Sequence, residues 1–561
     1  MNKKWWHEAV MYEIYTKSFC DSNGDGIGDL KGVKSKLPIL KELGVNVIWF
    51  TPIYKSPQVD NGYDVADYRD IDPAYGTLDD FKDLLDTAHS MGIRVVMDMV
   101  LNHSSDECEW FRESKKSKDN PYRNFYIWQP PKADGTPPNN WGNYFQEGDG
   151  SAWTFDEATG EYYLHQYSAK MPDLNWEYQP LRQAVYDMLN WWLDMGVDGF
   201  RFDIFTRLKK PAGFPDSLKT PDPKLDINGF VADRDMCTCV DGIHEIWQEI
   251  HKNVFEGRDC FSMGEGSGLN ADNAVYYVGQ HRKEVDSAYI FTMIGRKKPP
   301  FTPAIFRNQE SAWYEKIMRR NGWLVQYMCN HDQPRMVSHY GNDREYRVES
   351  AKLLATLVHT TPGMPIIYQG EEIGMTNIAF DNIEDYNDCY TKGDYYSMVK
   401  NGVDPKEALA AIREKSRDNA RSPYLWDDSE NAGFTSGKPW LKISNRAEEI
   451  NYAADRNSEN SIFDFYKKLT EMRKTEPAII DGDLKFYLND SDELIVYTRS
   501  CARQTLLIVA NKSDLEVEFE MPEELKNSIW KRILSNRKGN IPAVQSGKLM
   551  PWEAEVYELD M

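Results

Sequence analysis

Eight short, almost uninterrupted apolar runs, most of them followed by a helix-period segment, occupy the first 370 residues of this 561-residue chain. They read as strands at Val10–Tyr15, Val45–Phe50, Arg94–Val100, Gly199–Ile204, Cys260–Glu265, Ser287–Phe291, Leu324–Cys329 and Pro365–Tyr368. Helical patterns such as Leu78–Ser90, Pro180–Met195 and Gly242–Val254 lie between them. A strand that is apolar on both faces is buried on both faces, and parallel neighbours joined through helices bury it that way. Eight such units are the number that closes a (β/α)8 TIM barrel, an α/β fold. An open doubly wound sheet competes, but no Gly-rich phosphate loop follows the first strand.

Two stretches break the rhythm. About 75 residues rich in Trp, Tyr, Asn, Pro and Gly separate the third strand from the helix at Pro180, too many for a plain loop. Gly374–Trp440 is a second irregular, polar and aromatic insertion. From about Asp481 only strands follow: Leu484–Tyr487, Leu494–Arg499, Thr505–Ala510, Val517–Glu520, Lys531–Leu534 and Trp552–Leu559. Short strands between turn signals predict an antiparallel β-sandwich. The expected domains are therefore a barrel over 1–103 and 172–480, an inserted domain over 104–171 and a C-terminal sandwich over 481–561.

Composition narrows the partners. Lys and Arg number 66 against 89 Asp and Glu, a formal net charge of −23. Such a surface repels phosphate backbones and anionic headgroups, which argues against nucleic-acid and membrane-surface partners. No run approaches the ~18 apolar residues of a membrane span, and Met1–Trp6 is followed by no signal-peptide core. Eight cysteines are scattered, with Cys237 and Cys239 the one close pair, at neither zinc nor redox spacing. Free thiols in the cytoplasm are the expectation. Aromatic residues make up 13% of the chain, which suits stacking on sugar rings as well as core packing.

In a barrel of this kind the chemistry gathers at the C-terminal strand ends. The third strand finishes with Asp98 and runs to Asn102 and His103; the fourth finishes Arg201-Phe-Asp203; the fifth ends at Glu265; the seventh runs into Asn330-His331-Asp332. Three carboxylates from three strands thus face one mouth. Period-two alternation puts Arg201 and Asp203 on one strand face, and the cation should keep Asp203 ionised as a nucleophile requires. Glu265, between two glycines and with no adjacent cation in sequence, suits a proton donor. Carboxyls in unequal environments are what glycoside hydrolysis by double displacement needs. Separately, Asp21, Asn23, Asp25, the Ile27 carbonyl and Asp29 match positions 1, 3, 5, 7 and 9 of an EF-hand loop, with Gly26 at position 6 but Gly32 at position 12. A structural Ca2+ or Mg2+ is expected there over a metal-free Asx-turn loop.

These blocks resemble the α-amylase superfamily (glycoside hydrolase family 13), and within it the oligo-1,6-glucosidase and α-glucosidase branch. The superfamily likeness rests on Asp98–His103, Gly199–Asp203, Met263–Glu265 and Asn330–Asp332. The branch likeness rests on Trp5–Val10 with the Asp21–Asp29 loop, on Asp60-Asn-Gly-Tyr63-Asp64, on Ser416–Pro423 and on Ala432–Trp440. The resemblance implies Asp203 as nucleophile, Glu265 as acid and base, and Asp332 as transition-state stabiliser. It implies His103, His331, Tyr63 and Phe145 around the sugar, with Arg201 orienting Asp203. Asp60 and Arg417 would grip the non-reducing end and make the enzyme exo-acting. The Asp21–Asp29 loop resembles the branch's calcium loop, and no organic cofactor is implied.

Departures bear on the substrate. Ile204 follows the nucleophile where the branch pairs Val with α-1,6 substrates and smaller or hydroxylated residues with α-1,4 substrates; bulky Ile leans towards α-1,6. Met171 stands where oligo-1,6-glucosidases usually carry Gln, and Tyr424-Leu425 replaces a usual Met-Gln. Gly295–Pro300 matches poorly the Arg-rich loop of sucrose isomerases. The expected activity is release of terminal α-1,6-linked glucose from isomaltose and short isomalto-oligosaccharides by a monomeric enzyme. α-1,4 or sucrose-cleaving α-glucosidases, sucrose isomerases or transglucosidases, and trehalose-6-phosphate hydrolases (given Arg296-Lys297-Lys298) are the enzyme alternatives. A non-catalytic binding protein on the same barrel is the alternative of another class.

Overall fold

A computed structural model describes residues 3–222, 226–291, 301–538 and 546–560. Eight parallel strands form the central sheet: β1 (Met11–Ile14), β2 (Val47–Phe50), β3 (Arg94–Met99), β4 (Gly199–Phe202), β5 (Phe261–Gly266), β6 (Ser287–Ile290), β7 (Val325–Gln326) and β8 (Met364–Tyr368). They run in the order β6-β5-β4-β3-β2-β1-β8-β7, and a parallel bridge between Ala288 and Leu324 joins the two ends into a ring. Every residue of β1, β2, β4, β5 and β8 is buried, because the inner face fills the barrel and the outer face lies under helices. That is why these strands read as continuous apolar runs rather than alternating ones. The α/β barrel expected from the sequence is the fold.

The helices start and stop on local signals. Leu30–Leu43 is capped by Asp29, whose side chain accepts from the Gly32 N–H, and ends at Gly44 with φ 93°, a left-handed turn that glycine adopts without a Cβ clash. Leu78–Ser90 opens on a Thr77/Asp80 capping box. The helix expected over Gly242–Val254 is α-helical over Ile243–Ile250 and continues as a π turn over His251–Phe255.

The insertion after β3 carries a three-stranded antiparallel sheet with Glu161–Leu164 between Trp128–Gln129 and Trp153–Asp156. The segment after β4 packs back on it: Trp141 pairs with Val231 and its Nε1 donates to Pro215 O at 2.8 Å. The wall over the barrel mouth therefore has two sources in sequence. The 374–440 insertion folds around Ile378, Phe380, Ile383, Tyr386 and Ile412, with Leu441 just beyond it, and includes the helices Cys389–Lys400 and Pro405–Lys415.

C-terminally, a five-stranded antiparallel sheet (Asp483–Tyr487, Leu494–Cys501, Gln504–Asn511, Ala554–Leu559, Trp530–Ser535) faces a two-stranded one. The second sheet pairs Val517–Glu520 with Ser546–Leu549, a strand that the sequence pattern does not separate from its loop. Leu494, Val496, Leu507 and Val509 face Phe519 and Leu549, while Ile495, Tyr497, Leu506 and Ile508 join the barrel core. Alternation thus serves two interfaces at once. All eight cysteines are free, and among the described residues no helix is long and apolar enough to cross a membrane.

Candidate active site

A cavity of about 410 Å³ opens at the C-terminal end of the barrel, lined by Asp60, Tyr63, His103, Phe145, Asp203, Ile204, Glu265, Asp332 and Arg417 among others. Strand register assembles its floor. Asp98 on β3 and Met263 on β5 lie opposite Arg201 on β4, and the pleat places Asp203 and Glu265 two residues on, facing the same way.

Arg201 is the hub. Its Nη1 lies 2.8 Å from Asp98 Oδ1 and 2.8 Å from Asp203 Oδ1, its Nη2 2.9 Å from Glu265 Oε2, and its Nε donates to Tyr289 Oη at 2.9 Å. This corrects the view of Glu265 as lacking a neighbouring cation: the cation comes from the adjacent strand, which sequence adjacency cannot reveal. Glu265 Oε2 also accepts from the Ile204 N–H at 3.0 Å. Ile204 delivers that N–H from a left-handed conformation, φ 34° and ψ 45°, which is strained for a β-branched residue.

Asp203 and Glu265 are bridged by the one guanidinium of Arg201. Burial, and then the charge of Glu265, push the Asp203 carboxyl well above the usual range against the pull of Arg201. Burial lifts Asp98 to about 6, with Arg201 opposing. Arg201 thus opposes the effect of burial on Asp203 without outweighing it, whereas their shared strand face alone predicted that the cation would dominate.

His103 lines the cavity, whereas His331 lies behind it against Tyr63 and Asp332. Burial lowers His103 to about 4; its Nε2 is 3.1 Å from Tyr63 O and its Nδ1 is 3.1 Å from Asn102 Nδ2. His331 stacks on Tyr63 with ring centroids 5.2 Å apart and planes 13° apart, and its Nε2 is 2.7 Å from Tyr63 Oη. Tyr63 is thus itself stacked on a protein ring, with its hydroxyl 2.9 Å from Asp98 Oδ2.

The far end of the cavity is closed by ion pairs. Arg417 Nη2 lies 2.7 Å from Asp60 Oδ1, its Nε donates to Asp388 Oδ1 at 2.9 Å, and its Nη1 is 3.5 Å from Asp332 Oδ1. Arg421 Nη2 holds Asp332 Oδ1 at 2.6 Å. The structure therefore brings together all the residues named for catalysis and sugar contact. It adds Asp98, Asp388, Arg421 and Tyr289 as supports, and Tyr167, Arg234, Phe291, Gln333 and Tyr390 as further lining. Arg421 could have been flagged from the Ser416–Pro423 block; Asp388 carries no local signal. The Gly295–Pro300 stretch, with Arg296, Lys297 and Lys298, lies outside the described residues.

The Asp21–Asp29 loop lies apart from this cavity. Asx turns run Asp21 to Asn23, Asn23 to Asp25 and Asp25 to Ile27, each at 2.8–2.9 Å. Asp21 also accepts from Gly24 N and Gly26 N, at 2.8 Å each, and from Thr435 Oγ1. Asp29 takes Ser22 N and Gly32 N. Gly26 is required: at φ +94° a Cβ would stand 1.9 Å from Lys438 O. The donor set is all oxygen, as a hard cation needs. Among the described residues, though, the His/Cys/Asp/Glu group whose ligand atoms all lie within 4.8 Å is Asp60, Asp388 and Cys389, which Arg417 already neutralises.

Comparison with known proteins agrees with this geometry. The α-amylase catalytic-domain model matches residues 13–482. An oligo-1,6-glucosidase of Parageobacillus thermoglucosidasius is 44% identical over 575 residues, covering 100% of both chains. The crystal structure of the trehalose-6-phosphate hydrolase of Bacillus licheniformis superposes with a TM-score of 0.92 at 39% identity, covering 100% of each chain. The trehalulose synthase of Pseudomonas mesoacidophila does so with the same TM-score, identity and coverage. With the strand-end carboxylates, the barrel and these full-length likenesses in agreement, the chain belongs to the α-amylase family and is a glycoside hydrolase.

Proposed function

We propose that this chain is a retaining exo-α-glucosidase that removes terminal α-1,6-linked glucose from isomaltose and short isomalto-oligosaccharides. The observation that carries the exo reading is the Asp60–Arg417 pair at 2.7 Å, which stops the cavity behind the site of one glucose. The retaining reading is supported by Arg201, whose single guanidinium holds both Asp203 and Glu265 and so keeps the two carboxyls close together. Inverting enzymes keep their carboxyls about 6.5–9.5 Å apart to admit a water, whereas double displacement uses about 5–5.5 Å.

This mechanism needs Glu265 protonated and Asp203 ionised when the substrate is bound. Asp203, held by Arg201, attacks the anomeric carbon while Glu265 protonates the departing oxygen. Glu265 Oε2 is occupied by Arg201 and Ile204 N–H, which leaves Oε1 to carry the proton. Water deprotonated by Glu265 then releases glucose with its α configuration. Asp332, steadied by Arg421, takes hydroxyls of the distorted ring. Ile204, buried on the cavity wall, narrows the space beside the nucleophile and supports the α-1,6 preference. Turnover of isomaltose, maltose, sucrose and trehalose 6-phosphate by wild type and Asp203→Asn tests this. No glucose from any of them would end the reading, and a preference for maltose would overturn the linkage alone.

We further propose that Asp21, Asn23, Asp25, the Ile27 carbonyl and Asp29 hold a structural Ca2+, or Mg2+, supported by their all-oxygen chemistry and by the loop's attachment to Thr435. Chelation should lower the unfolding midpoint and spare activity in the cold; an unchanged midpoint would remove the metal. The free thiols suit a cytoplasmic monomer, which sedimentation would test.

A further inference from the structure

Glu13 stands in the middle of β1 with 0% exposure. Its Oε1 lies 2.6 Å from His331 Nδ1 and accepts from the His331 backbone N–H at 3.2 Å, while its Oε2 has no hydrogen-bond partner among the described residues. On the other side of the ring, His331 Nε2 is 2.7 Å from Tyr63 Oη and 3.6 Å from Asp332 Oδ1. Tyr63 Oη is in turn 2.9 Å from Asp98 Oδ2, and Arg201 ties Asp98 to Asp203 and Glu265. One hydrogen-bonded path therefore runs from the first strand to both catalytic carboxyls.

Counting protons along it fixes the histidine. Tyr63 has a single O–H proton, and Asp98, ion-paired with Arg201, is the acceptor for it. The Tyr63 oxygen must then accept from His331 Nε2–H. We propose that Glu13 is a positioning residue for the glucosidase reaction, holding His331 through Nδ1 so that the ring keeps its proton on Nε2, the nitrogen turned towards Tyr63 and Asp332, which line the cavity. A neutral Glu13 donating to a bare Nδ1 and a glutamate facing an imidazolium both leave Nε2 protonated. Burial favours the neutral pair, since it raises Glu13 well above the carboxylate range and drops His331 well below the imidazole range. Without Glu13 the ring is free to move its proton to Nδ1, and Nε2 then presents a lone pair to Tyr63 and Asp332. This rests on the α-glucosidase reading, which wild-type turnover in the same assay tests on its own.

The test is a double-mutant cycle on hydrolysis of an aryl α-glucoside and isomaltose, with unfolding midpoints measured in parallel. Glu13→Leu should lower kcat roughly tenfold or more with a smaller change in KM, by analogy with the roughly 10- to 100-fold cost of removing the partner that orients a metal-binding histidine. Glu13→Gln, whose amide can donate to Nδ1 and whose carbonyl can accept, should restore activity to within about threefold of wild type. In a His331→Ala background Glu13→Leu should cost less than about twofold more, because the partner through which it acts is gone. The proposal is overturned by a Leu variant within twofold of wild type, by an effect repeated in full without His331, or by a Gln variant as impaired as Leu at an unchanged midpoint. Should Glu13→Leu not fold, Glu13→Met replaces it in the cycle, and the Gln arm still decides.

Discussion

Replacing Asp60 by Asn separates what the Asp60–Arg417 pair does for the fold from what it does for the substrate. Arg417 is 3% exposed, so stripping it of all partners would cost about 3–5 kcal/mol. Asp388, however, keeps its contacts with Nε and Nη2, the former at 2.9 Å, and the introduced amide still presents an oxygen as acceptor. The fold should therefore lose only about 1 kcal/mol, a shift of roughly 2–4 °C or less in a chain of this size. On the substrate side, a hydrogen bond to a charged group is worth about 1.5–3 kcal/mol, which at about 1.4 kcal/mol per decade is a fall of roughly 10- to 150-fold in kcat/KM. On the proposed role of Asp60 in holding the non-reducing glucose, isomaltose and isomaltotriose should suffer equally. Initial rates on both sugars, with a thermal melt of each protein, check it. A kcat/KM within threefold of wild type at an unshifted midpoint would refute the closed-pocket reasoning, as would a loss that grows with chain length.

Other consequences can be read from the same site and its surroundings. Asp203→Asn should lower kcat by roughly a thousandfold or more while the melt stays near wild type, and proton NMR of fresh wild-type product should show α-glucose; β-glucose would exclude double displacement. Ile204→Thr should move the isomaltose-to-maltose ratio of kcat/KM towards maltose by roughly tenfold, and an unchanged ratio would show that the cavity wall does not set linkage. Glu310, buried on the helix Pro303–Lys316, is pushed up to about 8 by burial, with Gln326 and Arg499 opposing. A raised folded-state value means stability that is complete below the unfolded value near 4.5 and lost as pH climbs towards 8, by up to a few kcal/mol. Denaturant titrations at pH 5 and 9 should show Glu310→Gln gaining on wild type at the higher pH; parallel losses in both proteins would contradict the assignment.

Much of the fold is legible in the sequence because it depends on short-range pattern. Leu78–Ser90 reads with the bounds it has in the structure, since a capping box and an apolar stripe mark it locally. β1, β2 and β8 are legible to within two residues because strands buried on both faces leave uninterrupted apolar runs. The strand Ser546–Leu549 is not, having little apolar character of its own and existing through its pairing with Val517–Glu520. Asp203, Glu265 and Asp332 stand out because polar residues ending apolar runs are conspicuous. Glu13 escapes notice because it sits inside one.

The sequence by itself determined the period of the barrel strands and of the helices Leu78–Ser90 and Gln179–Met195, the ends where polar groups gather, and the shared face of Arg201 and Asp203, all set by residues within a few positions of each other. Tertiary structure alone decided which charges meet. Arg201 reached Glu265 across the gap between β4 and β5, Glu13 reached His331 over 318 residues, and Arg417 reached Asp60 over 357. The physical reason is that backbone period is a local property, whereas the protonation of a buried cluster depends on the sum of its charges over a few ångströms of low-dielectric space. Only the closed barrel and its insertions fix which residues share that space.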